Sequence, residues 1–141
     1  MPEVSVVLPT IDFTADVVII GAGASGLTAA LAAAENGAEV VVLERDASPS
    51  GSTSMSSGFV PAPGTRFQYA IGVTDDTAEL FFGDLQAKTY GKLDERLARL
   101  AAENIAPAME WLADACGVKW HVLDDFLYPG HARHRMHAVR E

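Results

Sequence analysis

At 141 residues and 49% hydrophobic content, the chain is long and apolar enough for a domain with its own core, which excludes a disordered protein. Its formal net charge of −9 disfavours nucleic acid as a partner, because phosphates are repelled. The single cysteine, Cys116, excludes an internal disulfide and a cysteine-based metal cluster, and points to a reducing cytoplasm.

Residues 1–15 read as a leader, with a short strand over 4–8 ahead of Pro9. No basic stretch precedes an apolar run there, and Glu3 argues against a secretory signal. Residues 15–34 are almost uncharged over a membrane-spanning length, but Asp16 and the interior glycines and serine argue against insertion.

The next stretch, DVVIIGAGASGLTAALAAAENGAEVVVLE over residues 16–44, carries the strongest signal. Residues 17–20 are β-branched, as in a strand buried on both faces. Gly21, Gly23 and Gly26 give the G-x-G-x-x-G spacing where that strand ends, which is the dinucleotide-binding fingerprint. A helix over 24–36 follows, its free N–H groups and positive dipole end turned to a phosphate, with Gly37 stopping it. Residues 39–43 form a second parallel strand, and Glu44 at its end is placed for the ribose hydroxyls of an adenosine.

After Arg45 the chain enters a loop rich in glycine and hydroxyl groups, from Gly51 to Gly58, and then meets Pro61 and Pro63. The prolines favour an ordered loop over a flexible tether. Helical spacing resumes at Thr74 or Asp75, either of which caps a helix reaching Tyr90 and stopped by Gly91. Asp94 caps a longer helix through Cys116, divided or kinked by Pro107 near Asn104. Its inner face is expected to hold Leu97, Leu100, Ala101, Ile105, Ala108, Met109 and Leu112, with Cys116 also buried. Residues 118–123 read as a strand.

The chain closes on a run holding Tyr128, His131, His134, Arg135 and His137. The histidines fall three apart, but no carboxylate or cysteine is interleaved, so no metal site is expected. The run is read as a surface or subunit contact, with binding of a substrate carboxylate as the alternative. Tyr128 is read as an ordinary buried aromatic.

Taken together, these residues resemble the N-terminal part of the fumarate reductase/succinate dehydrogenase flavoprotein family, whose members include ketosteroid dehydrogenases and urocanate reductase-like enzymes. The resemblance runs from Asp16 to the end of the chain. Its specific part is SGSTSMSSGFVPAPGT over residues 50–65. It implies FAD as cofactor, with Gly21, Ala22, Gly23, Ser25 and Gly26 in the pyrophosphate turn and Glu44 on the adenosine ribose. Arg45, Gly51, Ser52, Thr53, Ser57 and Gly58 then fall along the cofactor, with Met55 beside it. The family often has two glycines where this chain has Gly58 and Phe59. Arg135, Met136 and His137 resemble a family segment that runs by the flavin and substrate. No catalytic residue is assigned by this resemblance, and Tyr128, His131, Arg135 and His137 are the weak candidates for touching substrate.

The implied fold is α/β: a Rossmann-like FAD-binding βαβ unit over 16–73, then a helical segment and C-terminal strand or loop over 74–141, incomplete without a partner chain. The family's fold is much longer, so a larger second subunit is expected to supply the rest of the flavin domain and the catalytic domain. A truncated fragment is the competing explanation. The implied chemistry is hydride transfer to or from flavin N5, acting on a CH–CH bond of a small molecule next to a carbonyl or carboxylate. A non-catalytic nucleotide-binding or assembly subunit is the alternative. An NAD-dependent dehydrogenase fragment is the third reading, against which the 50–65 loop speaks.

Overall fold

The computed structural model describes residues 14–139. The strand expected over 4–8 lies outside them. Two compact units meet in sequence between Ser56 and Ser57, a division that falls inside the 16–73 segment.

In the first unit, β1 (Val17–Ile20) and β2 (Val40–Leu43) pair in parallel, Val17 opposite Val40 and Ile20 opposite Leu43. A parallel pair needs a crossover, and α1 (Ala24–Glu35) provides it. The helix runs one residue short of the expected span, with Asn36 as C-cap and Gly37 beyond it in the left-handed region. Asp16 fixes the start of the pairing: its N–H donates to the Glu39 carbonyl, and its carboxylate accepts the Glu39 N–H. Burial alternates along β1. Val17 and Ile19 are partly covered, whereas Val18 is exposed and Ile20 is 87% exposed. The expectation of a strand buried on both faces is therefore corrected, because α1 covers only one face of this two-stranded sheet.

The second unit opens with β3 (Val60–Pro61), within what the sequence reads as loop, and α2 (Arg66–Ala70), in a stretch to which the sequence reading assigns no element. Thr65 and Gln68 explain the short helix. The Thr65 hydroxyl oxygen accepts the Gln68 N–H, and the Gln68 side chain accepts the Thr65 N–H, which forms a capping box. Next come α3 (Ala78–Lys88) and α4 (Glu95–Cys116). Phe81 and Phe82 of α3 bury against Ala102 of α4, with Ala78, Leu85, Leu93 and Ala98 around them. The cap of α3 is Thr77, not Thr74 or Asp75, and its last helical residue is Lys88. Asp75 and Asp76 are instead committed to Arg133 and Arg135.

Asp94 caps α4 as expected, its carboxylate accepting the Leu97 N–H at 3.0 Å, and Gly117 ends it. Pro107 does not divide the helix. It sits on the exposed side, as does Glu103, so the carbonyl left without a partner one turn back faces water. The expected inner face holds in the second half of the helix, where Met109 is buried and Ile105, Ala108 and Leu112 are partly covered, but in the first half Leu97, Leu100 and Ala101 are exposed and Ala102 is buried instead. Cys116, expected inside, is exposed because it is the last helical residue.

Within the expected 118–123 strand, β4 (Trp120–Val122) forms and pairs antiparallel with β5 (Met136–Val139). The sheet order is β3, β5, β4, so the last of these three strands in chain order lies in the middle. No helix among the described residues is long and apolar enough to cross a membrane.

Candidate cofactor site and the polar core behind the loop

The first unit gathers its candidate residues at the carboxyl ends of β1 and β2. The Gly21 N–H donates to the Leu43 carbonyl at 2.7 Å, which locks the turn onto β2. Gly21 has φ +98°, a conformation that side chains rarely adopt, and nothing lies within 4 Å of where its Cβ would be. Gly26 answers a different need: a Cβ there would run into the Gly21 carbonyl and press on Ile19 Cγ2. The two glycines thus let the chain reverse tightly and let α1 lie close on β1.

The N-terminus of α1 has no cap from its own segment. Gly23 offers no side-chain cap, and no acidic residue lies in the first turn. The Ala24 N–H donates to Thr53 Oγ1 at 3.1 Å, while the Ser25 and Gly26 N–H groups have no hydrogen-bond partner among the described residues. Free donors and the positive end of the helix dipole together form a ready anion site. A Cβ on Gly23 would come to 3.5 Å from Thr53 Oγ1, within the space between helix and loop. This arrangement fits a pyrophosphate.

Glu44 closes the same end. Its Oε2 accepts the Ala22 N–H at 2.8 Å and its Oε1 the Asp46 N–H at 3.0 Å. These two donors, Asp46 first, hold the carboxyl below the usual carboxylate range, so it is ionised at neutral pH. A carboxylate has about four lone-pair sites, so two remain for hydroxyl donors. The Ala22 N–H is therefore directed at Glu44, and Ala22 itself is buried. Arg45 points into solvent and pairs with Asp46 at 3.2 Å. The loop behind Thr53 is tightened by Ser54 Oγ and the Met55 N–H, both donating to the Gly51 carbonyl. Gly51, Ser52 and Thr53 are exposed, as are Ser57 and Gly58 at the start of the second unit.

The closing run behaves otherwise. Arg135 is fully buried and grips Asp76 through two parallel hydrogen bonds, Nε to Oδ2 at 2.9 Å and Nη2 to Oδ1 at 2.6 Å. Its third nitrogen, Nη1, donates to Asp84 Oδ2 at 2.5 Å, and the guanidinium lies 4.9 Å from the Phe81 ring centre. His137 is buried too. Its Nδ1 faces the carbonyls of Arg135 at 2.8 Å and Val60 at 3.3 Å. Carbonyls only accept, so Nδ1 carries the proton. Nε2 then accepts from the Thr65 hydroxyl at 2.8 Å, a direction that matches Thr65 Oγ1 accepting from Gln68. Burial pushes the His137 imidazole below its ordinary value, so it is neutral.

The expectation of a surface or contact role is corrected for Arg135 and His137: an internal carboxylate pair and an internal hydroxyl hold them inside. Tyr128, expected inside, is 44% exposed, with the rings of His131 and Phe126 beside it. His131 is half-buried against Phe81, and burial, then the Arg135 charge, push its imidazole down. The structure thus brings Arg135 and His137 into one network, and leaves Tyr128 and His131 beside Lys88 in a small cleft whose wall Phe81 and Asp84 share with that network. No group of three or more histidine, cysteine, aspartate or glutamate side chains suited to a metal ion exists among the described residues.

Thr65, Gln68, Asp76 and Asp84 complete this core and were not anticipated. The T-x-x-Q spacing of the capping box was readable in the sequence. Nothing local signals that Asp76 meets Arg135, which lies 59 positions away.

The model of the family described as FAD binding domain matches residues 16–139. An NADH:fumarate oxidoreductase from Klebsiella pneumoniae is 38% identical over 99 residues, covering 70% of this chain and 11% of that protein. A urocanate reductase from Eggerthella lenta is 37% identical over 117 residues, covering 83% of this chain and 19% of that protein. Among solved structures, a 3-ketosteroid-Δ4-(5α)-dehydrogenase from Rhodococcus jostii superposes with a TM-score of 0.66 at 37% identity, over 77% of this chain and 22% of that one. The open form of a flavocytochrome c3 fumarate reductase gives 0.71 at 28% identity, over 89% and 21%. The chain thus spans about a fifth or less of the curated relatives it matches.

Proposed function

The chain belongs to the FAD binding domain family, and on that premise we propose that it forms the cofactor-holding part of a flavin-dependent dehydrogenase or reductase. The substrate class is a small molecule with a CH–CH bond next to a carbonyl or carboxylate. FAD, when bound, supplies hydride transfer at flavin N5. The chain's own residues bind and orient it. Ser25 and Gly26 N–H groups take the pyrophosphate, Gly21 and Gly23 let it approach the backbone, and Glu44 accepts the adenosine ribose hydroxyls. Gly51, Ser52, Thr53, Ser57 and Gly58 line the flavin side. The remainder of the flavin domain and the catalytic domain come from a larger second subunit, in the cytoplasm.

One observation carries this reading: Thr53 Oγ1 accepts the Ala24 N–H across 29 positions, which sets the hydroxyl-rich loop over the helix terminus beside Glu44. An ordinary βαβ unit continues straight into its next helix and has no such loop to place there.

Replacing Glu44 in the FAD-loaded flavoprotein tests it. Hydrogen bonds to a charged carboxylate contribute about 1.5–3 kcal/mol each, so Glu44→Ala is expected to weaken FAD retention by about tenfold or more. Flavin absorbance per protein after gel filtration reads the loss. Unchanged flavin content in a folded variant removes Glu44 from the ribose.

A further inference from the structure

We infer that Thr65 and His137, backed by Gln68, Asp76 and Arg135, are positioning residues that set the flavin-facing end of the 51–58 loop. The inference rests on the reading, proposed above, that Ser57 and Gly58 face the cofactor.

The loop leaves its exposed stretch through β3, a strand of two residues. Such a strand has little hold of its own, and Pro61 has no N–H to give. What anchors it comes from β5. Val60 stands opposite His137 and Pro61 opposite Met136, and the Ala62 N–H donates to the Arg135 carbonyl at 2.9 Å. The Val60 carbonyl, two residues beyond Gly58, also faces His137 Nδ1. Thr65 then pins the imidazole from its other side, and the Phe67 ring closes edge-on over it at 5.9 Å.

The five side chains of the network itself are polar, buried and hydrogen-bonded. Thr65, Gln68, Arg135 and His137 have no exposed surface, and Asp76 has almost none. Gln68 Nε2 donates to Asp76 at 2.7 Å and to the His134 carbonyl at 2.8 Å, so capping box and ion pair form one chain of bonds. Burying such a set adds little net stability, since apolar side chains of similar volume often serve as well. Its product is geometry. Each bond has a fixed direction, from Asp76 through Gln68 and Thr65 to His137, and together they allow the Val60 carbonyl a single position. Ser57 and Gly58 lead directly into that point.

The test uses the FAD-loaded flavoprotein with three variants. Thr65→Val removes the hydroxyl at nearly constant volume. His137→Asn keeps a donor near the Nδ1 position and drops the Nε2 acceptor. Thr65→Ser keeps the hydroxyl. Thr65→Val and His137→Asn are expected to retain FAD but to change its visible circular dichroism. They should also shift the midpoint potential by about 30 mV, equivalent to about tenfold in relative affinity for oxidised and reduced flavin. Thr65→Ser is expected to restore both signals.

Folded Thr65→Val and His137→Asn proteins with the parental spectrum and potential overturn the inference. Loss of folding in both also overturns it, because the network is then merely structural. Ser57→Ala and Gly58→Ala separate it from the reading beneath it. If these leave the flavin signals unchanged, the loop does not face the cofactor. If they shift the signals while the network variants do not, only the positioning role fails.

Discussion

His137 shows how one buried side chain makes stability depend on pH. Its imidazole is held neutral by burial, against the Arg135 and Val60 carbonyls and the Asp76 charge, which favour the proton, while His121 adds to the burial effect. The folded value therefore lies below the ordinary 6.5 that the unfolded chain shows. Just below that pH the unfolded state binds more protons, so acid favours unfolding. The stabilising contribution is complete above about pH 6.5 and is lost as pH falls toward the folded value. His131 is shifted the same way and adds to the same window. The melting temperature is expected to fall between pH 7.5 and 5.5, and to fall less in His137→Asn. Parallel pH profiles for the two proteins place the proton elsewhere. Arg135 poses the complementary case. Removing one partner of a buried ion pair costs about 3–5 kcal/mol, because the other charge is left without compensation.

Among the elements, the βαβ unit depends on one contact more than on any strand residue. Helix α1 lies so close to β1 that Gly26 cannot carry a side chain without moving the Gly21 carbonyl. Gly26→Ala is expected to cost about 1–3 kcal/mol, the usual range for overpacking, and to lower flavin content at the same time. Thermal melting and absorbance check both, and an unperturbed variant means that the turn relaxes freely. This unit was legible in the sequence because its signals are local: a strand, three glycines, a helix, a second strand and an acid in unbroken order. Asp94 and Gly117 likewise announced the ends of α4. Asp75 did not cap α3, because a cap and an ion-pair partner look alike until Arg133 arrives from 58 positions away. Pro107 misled for a related reason, since the exposure that makes it tolerable is decided by packing. β3 carries only two residues of pattern, too few for any periodicity to register.

For the whole molecule, the apolar surface matters most. Ile20 is 87% exposed, with Val18, Leu27, Leu31 and Leu43 also open in the first unit. In the second unit, Val60, Pro61, Leu85, Ala101, Ile105 and Ala108 line an apolar cleft of about 440 Å³. A chain spanning 11–21% of its relatives' length has such faces where the rest of a longer fold packs. Native mass spectrometry of protein purified from its source, with a flavin spectrum, is expected to find a yellow complex containing this chain, a larger partner and FAD. A single longer polypeptide that carries this sequence together with FAD, or a colourless species of 14.9 kDa, overturns the reading of a larger second subunit. The order β3, β5, β4 has a consequence in time as well as space. Val60 and His137 meet across 77 positions, so this sheet closes a long loop before its contacts give anything back. On the ribosome the βαβ unit is complete while the polar core still lacks its arginine and its histidine. The last of these three strands to leave the ribosome therefore sets when the second unit acquires its shape, and nascent chains stalled before Met136 has emerged retain the crossover without the clamp.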